Sequence, residues 1–131
     1  MKKKKVKIAG KQVWLAYCYA TELAFYDMTD TDINDFFKEF FSPNKEEDEE
    51  EKKKKESRKL KLILYAIFAS AFSYSESVEK DCEIDHKTLM FHAKPAEITE
   101  AFSCVIELRN EWYKLPSDDK PEKEDEDGKK N

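Results

Sequence analysis

The hydrophobic positions of this chain change period along its length, and the changes predict its elements. Val6 and Ile8 alternate with polar residues, Gly10-Lys11 interrupts the alternation, and Gln12-Val13-Trp14-Leu15 follows. This pattern predicts a β-hairpin, with Gly10 where a positive φ is needed and Trp14 as the anchor. An isolated hairpin is marginal in water, so it must pack on helices or pair with another chain. From Tyr17 to Met28 the pattern is helical, with Ala20, Leu23 and Ala24 on one side and Tyr19, Phe25 and Tyr26 widening the apolar surface. Thr29 and Asp32 then match a capping box, with Thr29 as the cap. They predict a short amphipathic helix, Asp32–Phe41, with Ile33, Phe36, Phe37, Phe40 and Phe41 at i, i+3, i+4 spacing. Ser42-Pro43 ends it.

The stretch from Lys59 to Ser77 differs in kind. Leu60, Ile63, Leu64, Ile67, Ala71 and Tyr74 mark one helical face, while Leu62, Tyr65, Ala66, Ala69 and Phe72 fill much of the other. A helix that is apolar nearly all round is normally enclosed by other elements. A membrane span needs about 20 apolar residues, and this run is roughly half that and is broken by Ser70 and Ser73. The reading is a buried core helix, and the rest of the chain reads as material to cover it. Beyond it, Val78–Ile84 suits a loop, and Asp85 can cap a short helix, His86–His92, that buries Leu89, Met90 and Phe91. Pro95 fits the first turn of a last helix. Ile98, Ala101, Phe102, Val105, Leu108, Trp112 and Leu115 form its inner stripe, Glu97, Glu100, Glu107, Asn110, Glu111 and Lys114 line the other face, and Pro116 stops it.

Charge refines this plan. Hydrophobic residues make up 40% of the 131, enough for one packed domain although another 40% are charged. The charges gather in a basic leader, 1–5, an insertion, 44–58, and an acidic tail, 117–131, which has no apolar residue and reads as disordered. Residues 6–116 are left as a single mostly helical domain with a β-hairpin, an α+β fold. The insertion has two readings, a linker of like charges or a backward extension of the core helix. Asp48–Lys52, Glu49–Lys53, Glu50–Lys54 and Glu51–Lys55 are successive i,i+4 pairs in the favourable order. Elongating a helix is also cheaper than nucleating one, so the extension is expected, fraying toward Lys45. The net charge of −5 argues against nucleic acid as the main partner, since that affinity comes largely from neutralising phosphates.

Candidate chemistry is sparse. Cys18, Cys82 and Cys104 are odd in number and widely spaced, and Met1 leads into four lysines rather than an apolar signal segment. Free thiols in a reducing cytosol are expected. With Gly10 and Gly128 as the only glycines, no phosphate-cradling loop or dinucleotide fingerprint can be built. Cys82, His86 and His92 lack a fourth zinc ligand at standard spacing, and helix-edge histidines are the better reading. No nucleophile elbow or distinctive carboxylate pair is present. No enzyme, metal or cofactor is expected.

Three stretches taken together suggest a family: Val6–Trp14, then Tyr17–Phe25 with Asp32–Phe37, and finally Ile106–Pro116 before an acidic tail. Their order resembles the tail assembly chaperones of long-tailed bacteriophages and prophages, over most of the chain. The charged insertion departs from the shorter connections of that family. The resemblance implies a small helical protein of the bacterial host cytoplasm, active during virion morphogenesis and absent from the finished particle. Its partners would be the tape measure protein and the tail tube protein. It further implies a second, longer product made by ribosomal slippage, for which Gly128-Lys129-Lys130 offers a compatible codon run. Excess aromatic surface on short terminal elements points to Trp14, Phe36, Phe37, Phe40, Phe41, Trp112 and Tyr113 as partner-binding residues. The same surplus would suit a homo-oligomer. The alternative is a small cytosolic helical adaptor or regulator with another protein partner.

Overall fold

Residues 1–42 and 48–115 are described by the computed structural model. Its first feature is a turn that leaves little choice of residue. Ala9 and Gly10 both take positive φ, 52° and 78°, as a two-residue hairpin turn demands. Gly10 fulfils the expectation; Ala9 carries a Cβ into the left-handed region, and its N–H donates to Glu97 Oε1 at 3.0 Å. The strands are β1 (Lys3–Ile8) and β2 (Lys11–Ala16), antiparallel from Lys3↔Ala16 to Ile8↔Lys11. Lys3, Lys4 and Lys5 are therefore strand residues, not leader. Their aliphatic stems extend while the ammonium groups find partners: Lys4 Nζ reaches Glu107 at 3.1 Å, and Lys3 and Lys5 lie over the Trp14 ring.

Five helices follow among the described residues: α1 (Tyr19–Thr29), α2 (Ile33–Phe41), α3 (Glu49–Ser77), α4 (His86–His92) and α5 (Pro95–Trp112). The chain is a mainly helical α+β fold with an N-terminal hairpin, as the periodicity predicts. Asp85 caps α4 by accepting from Thr88 N at 2.7 Å, and Pro95 opens α5. The cap of α2 is Asp32, which accepts from the Asn34 and Asp35 N–H groups. Thr29 is not the cap; it ends α1, and its hydroxyl donates back to Phe25 O. The core helix does extend backward through the charged run to Glu49, where Asp48 accepts from Glu51 N at 2.8 Å. Residues 43–47, with Pro43 and Lys45, and 116–131, with Pro116 and the expected tail, lie outside the described residues.

From Leu62 to Ser75, α3 is buried on nearly every side, and Ile67 is wholly enclosed. It packs most extensively against α1 and β2, then against α5 and α4. The second strand is thus a main cover of α3, whereas α2 touches α3 only lightly. The last helix lies along β1, with Lys2 Nζ–Glu111, Lys4–Glu107 and Ala9 N–Glu97 as successive rungs in opposite chain directions. Four faces differ from the pattern reading, the last being the end of the α5 stripe, where Leu115 lies beyond the helix and is 62% exposed. Leu23 and Ala20 of α1 point outward, as do Leu60 of α3 and Met90 and Phe91 of α4. Buried polar groups explain the first of these. Thr21 Oγ1 and Ser73 Oγ are 2.6 Å apart, and both lie within reach of Ala16 O. Thr21 also accepts from Cys18 N. A satisfied hydroxyl can be buried at little cost, so Thr21 and Phe25 face the core and Leu23 is turned out.

Candidate functional site

The outward face of α1 exposes apolar side chains that the core does not use. Tyr19, Leu23 and Tyr26 stand at i, i+4 and i+7, which puts them on one side of the helix. They are 66%, 66% and 51% exposed. Trp112 at the end of α5 extends this face, its ring meeting Tyr19 edge-on at 5.2 Å between centroids.

A polar latch beneath the stripe fixes its geometry. Tyr17 Oη donates to Glu22 Oε2 at 2.9 Å, and Tyr113 Oη donates to the same oxygen over a shorter contact. Asn34 Nδ2 lies 3.4 Å from Glu22 Oε2 and 3.2 Å from Tyr113 Oη. Arg109 donates twice to Asn34 Oδ1, at 3.1 and 2.6 Å, and its guanidinium rests over the Phe37 and Tyr113 rings. The latch joins the start of α1, the start of α2 and the end of α5. Burial and the Glu22 hydrogen bond push the Tyr17 hydroxyl far above its ordinary range. The Tyr113 hydroxyl moves up for the same causes. Both therefore remain protonated donors near neutral pH.

The residues singled out from sequence fall in different places. Phe36 and Phe37 are 3% and 2% exposed, which corrects their assignment as contact residues. Phe37 stacks on Phe102 and Phe36 on Phe25, with centroids 5.8 and 5.9 Å apart. A partner cannot reach them without opening the core. Phe40 is half-buried, edge-on to Phe102 and covered by Lys59 Nζ. Phe41 is 60% exposed and stacks on Phe37. The Trp14 ring lies beside Tyr74, with the Lys5 ammonium over it and the Lys3 ammonium over both rings, while the Trp14 backbone N–H donates to Glu83 Oε1 at 3.1 Å. The hairpin edge is thereby capped at that residue rather than open. Trp112 and Tyr113 are brought together with the α1 stripe, which sequence reasoning missed as a separate face. The signal was available in the i, i+4, i+7 spacing of Tyr19, Leu23 and Tyr26, which sets them apart from Phe25.

His86 lies flat on Tyr65, 3.7 Å between ring centroids, and its Nε2 is buried with no hydrogen-bond partner among the described residues. Burial, and then Lys61, hold its pKa below the usual histidine value. Burial pushes the Cys104 thiol up. Among the described residues, no group of three or more His, Cys, Asp and Glu is placed to hold a metal ion, and no helix is long and apolar enough to cross a membrane. The chain matches no family model, no curated protein and no solved structure.

Proposed function

We propose that this protein is a tail assembly chaperone of a bacteriophage or prophage. It binds the tape measure protein in the host cytoplasm and helps recruit tail tube subunits, and it acts by binding rather than by catalysis. The carrying observation is the exposed aromatic and aliphatic face of α1 beside Trp112, held on a latched scaffold. A tape measure protein is a long amphipathic helix, and holding one in solution calls for preformed apolar surface. Contiguous exposed apolar surface on a small protein commonly marks an interaction site, and tyrosine and tryptophan are favoured there because each pairs an apolar body with a polar tip. Phe41, with the partly covered Phe40, offers a second exposed aromatic site on α2. Co-expression with a phage tape measure protein is the direct trial. The expected result is a soluble complex that co-purifies; a tape measure protein that stays insoluble with the wild-type chain present would remove the proposal.

A further inference from the structure

We infer that the Tyr19–Leu23–Tyr26 stripe, extended by Trp112, seats one amphipathic helix of a partner protein, and that this helix carries Lys or Arg on the flanks of its apolar ridge. The inference rests on the reading of the protein as a helix-binding chaperone and adds the surface and the chemistry of what it takes.

Spacing makes the first part of the argument. Three apolar side chains at i, i+4 and i+7 form a ridge about 10 Å long, matched to the i, i+3/i+4, i+7 anchors of a helix laid against it. The helix that carries the ridge is tied to its neighbours before anything binds. Glu22, inside the same helix, is held by Tyr17 and Tyr113, and Arg109 is fixed on Asn34. Little ordering is left to oppose association.

Charge makes the second part and selects the occupant. Residues Tyr19–Thr29 include no Lys or Arg. Glu22 flanks the ridge on one side, Asp27 on the other, and Asp30 stands at its end in the left-handed cap position. The groups bonded to Glu22 Oε2 are the neutral Tyr17, Tyr113 and Asn34. They hold the carboxylate in place and bring no positive charge of their own. Arg109 sits behind Asn34, its guanidinium over Phe37 and Tyr113. A second copy of the chain docking by the same face would set Glu22, Asp27 and Asp30 against themselves, which like-charge repulsion disfavours. An anionic lipid surface is disfavoured for the same reason. A helix whose leucine-type ridge is edged with lysine or arginine satisfies both the apolar and the acidic features.

The test uses the full chain and two synthetic peptides of about 18 residues, long enough to form helix on a surface. One has a leucine ridge flanked by lysines; in the other, glutamates replace the lysines. Titration calorimetry and Trp emission measure binding, and backbone NMR resonances of the wild-type chain locate it. The lysine peptide is expected to bind at least about tenfold more tightly than the glutamate peptide and to shift resonances around Tyr19, Leu23, Tyr26 and Trp112. A Leu23→Ser, Tyr26→Ser double variant with an unchanged melting profile is expected to lose at least about tenfold in affinity. Equal binding of the two peptides, shifts confined to another face, or full affinity in the double variant would overturn the inference. So would wild-type dimers in sedimentation that the double variant abolishes, since the occupant would then be a second copy. Co-expression separates this from the chaperone proposal. If the double variant still keeps the tape measure protein soluble, the stripe is not the site and the chaperone reading stands; if the wild-type chain fails there yet binds the lysine peptide through the stripe, the reverse holds.

Discussion

The helices α1 and α2 are neighbours in sequence, similar in length and both rich in aromatic residues, yet they have opposite fates. The second turns Ile33, Phe36 and Phe37 into the core, where Phe36 and Phe37 meet Phe25 and Phe102. The first buries Thr21 and Phe25 and leaves Tyr19, Leu23 and Tyr26 outside. A threonine is enclosed while a leucine on the same helix is exposed, so hydrophobicity alone did not choose the face. The hydroxyl partners of Thr21, on Ser73 and at Ala16 O, lie on the inner side. An aromatic stripe on a short helix is thus ambiguous until its neighbours are known: in α2 it is core, and in α1 it is surface.

The sharpest way to break that comparison is to truncate both stripes. Phe36→Ala or Phe37→Ala is expected to cost about 3–5 kcal/mol of stability, as for other buried phenylalanines. Leu23→Ser or Tyr26→Ser should stay within about 0.5 kcal/mol. Urea unfolding measures both, and equal losses at the two sites would show that the α1 stripe packs against something. A smaller effect is expected at the polar contact that turned α1. Thr21→Val keeps the shape but removes a hydroxyl partner from Ser73 and from Cys18 N, and should cost about 1–3 kcal/mol. Combining it with Ser73→Ala should cost less than the sum of the two single changes. Additive losses would mean that the pair does not choose the face.

Two pH experiments give still smaller effects. The latch that ties α1 to α2 and α5 predicts alkaline sensitivity. Burial, followed by the Glu22 hydrogen bond, raises the Tyr17 pKa above its ordinary value of 10.0. The unfolded chain therefore releases this proton first. The stabilisation is complete below pH 10.0 and is lost as pH rises from there toward the folded value. Tyr17→Phe should flatten the fall in melting temperature over that window, and an unchanged fall would remove the latch as its source. His86 lies away from both helices and serves as a reference. Its lowered pKa gives stability that is complete above the ordinary value of 6.5 and is lost as pH falls through the folded value. The residue is only half-buried, so the slope should be slight. His86→Phe keeps a ring on Tyr65 and should remove that slope, leaving the α1–α2 comparison unchanged.

Features set by near neighbours in the chain were legible in the sequence. The turn at Gly10, the Asp85 cap of α4, the start of α5 at Pro95 and the growth of α3 into its charged run all appear where the residues place them. Each depends on backbone dihedral preference, on capping, or on pairs one helical turn apart, and these interactions are complete within a few residues. The enclosure of α3 was legible too, because a helix that is apolar on all sides has no alternative face to present. Which side of α1 turned inward, and whether Met90, Phe91, Leu60 or the phenylalanines of α2 met solvent, was decided only in the tertiary structure. Desolvation depends on what packs above a side chain, and those neighbours come from far along the chain. Phe102 covers Phe37 across 65 residues, and Ser73 draws in Thr21 across 52. Periodicity shows that a helix has an apolar face; only long-range packing determines whether that face becomes core or remains available to a partner.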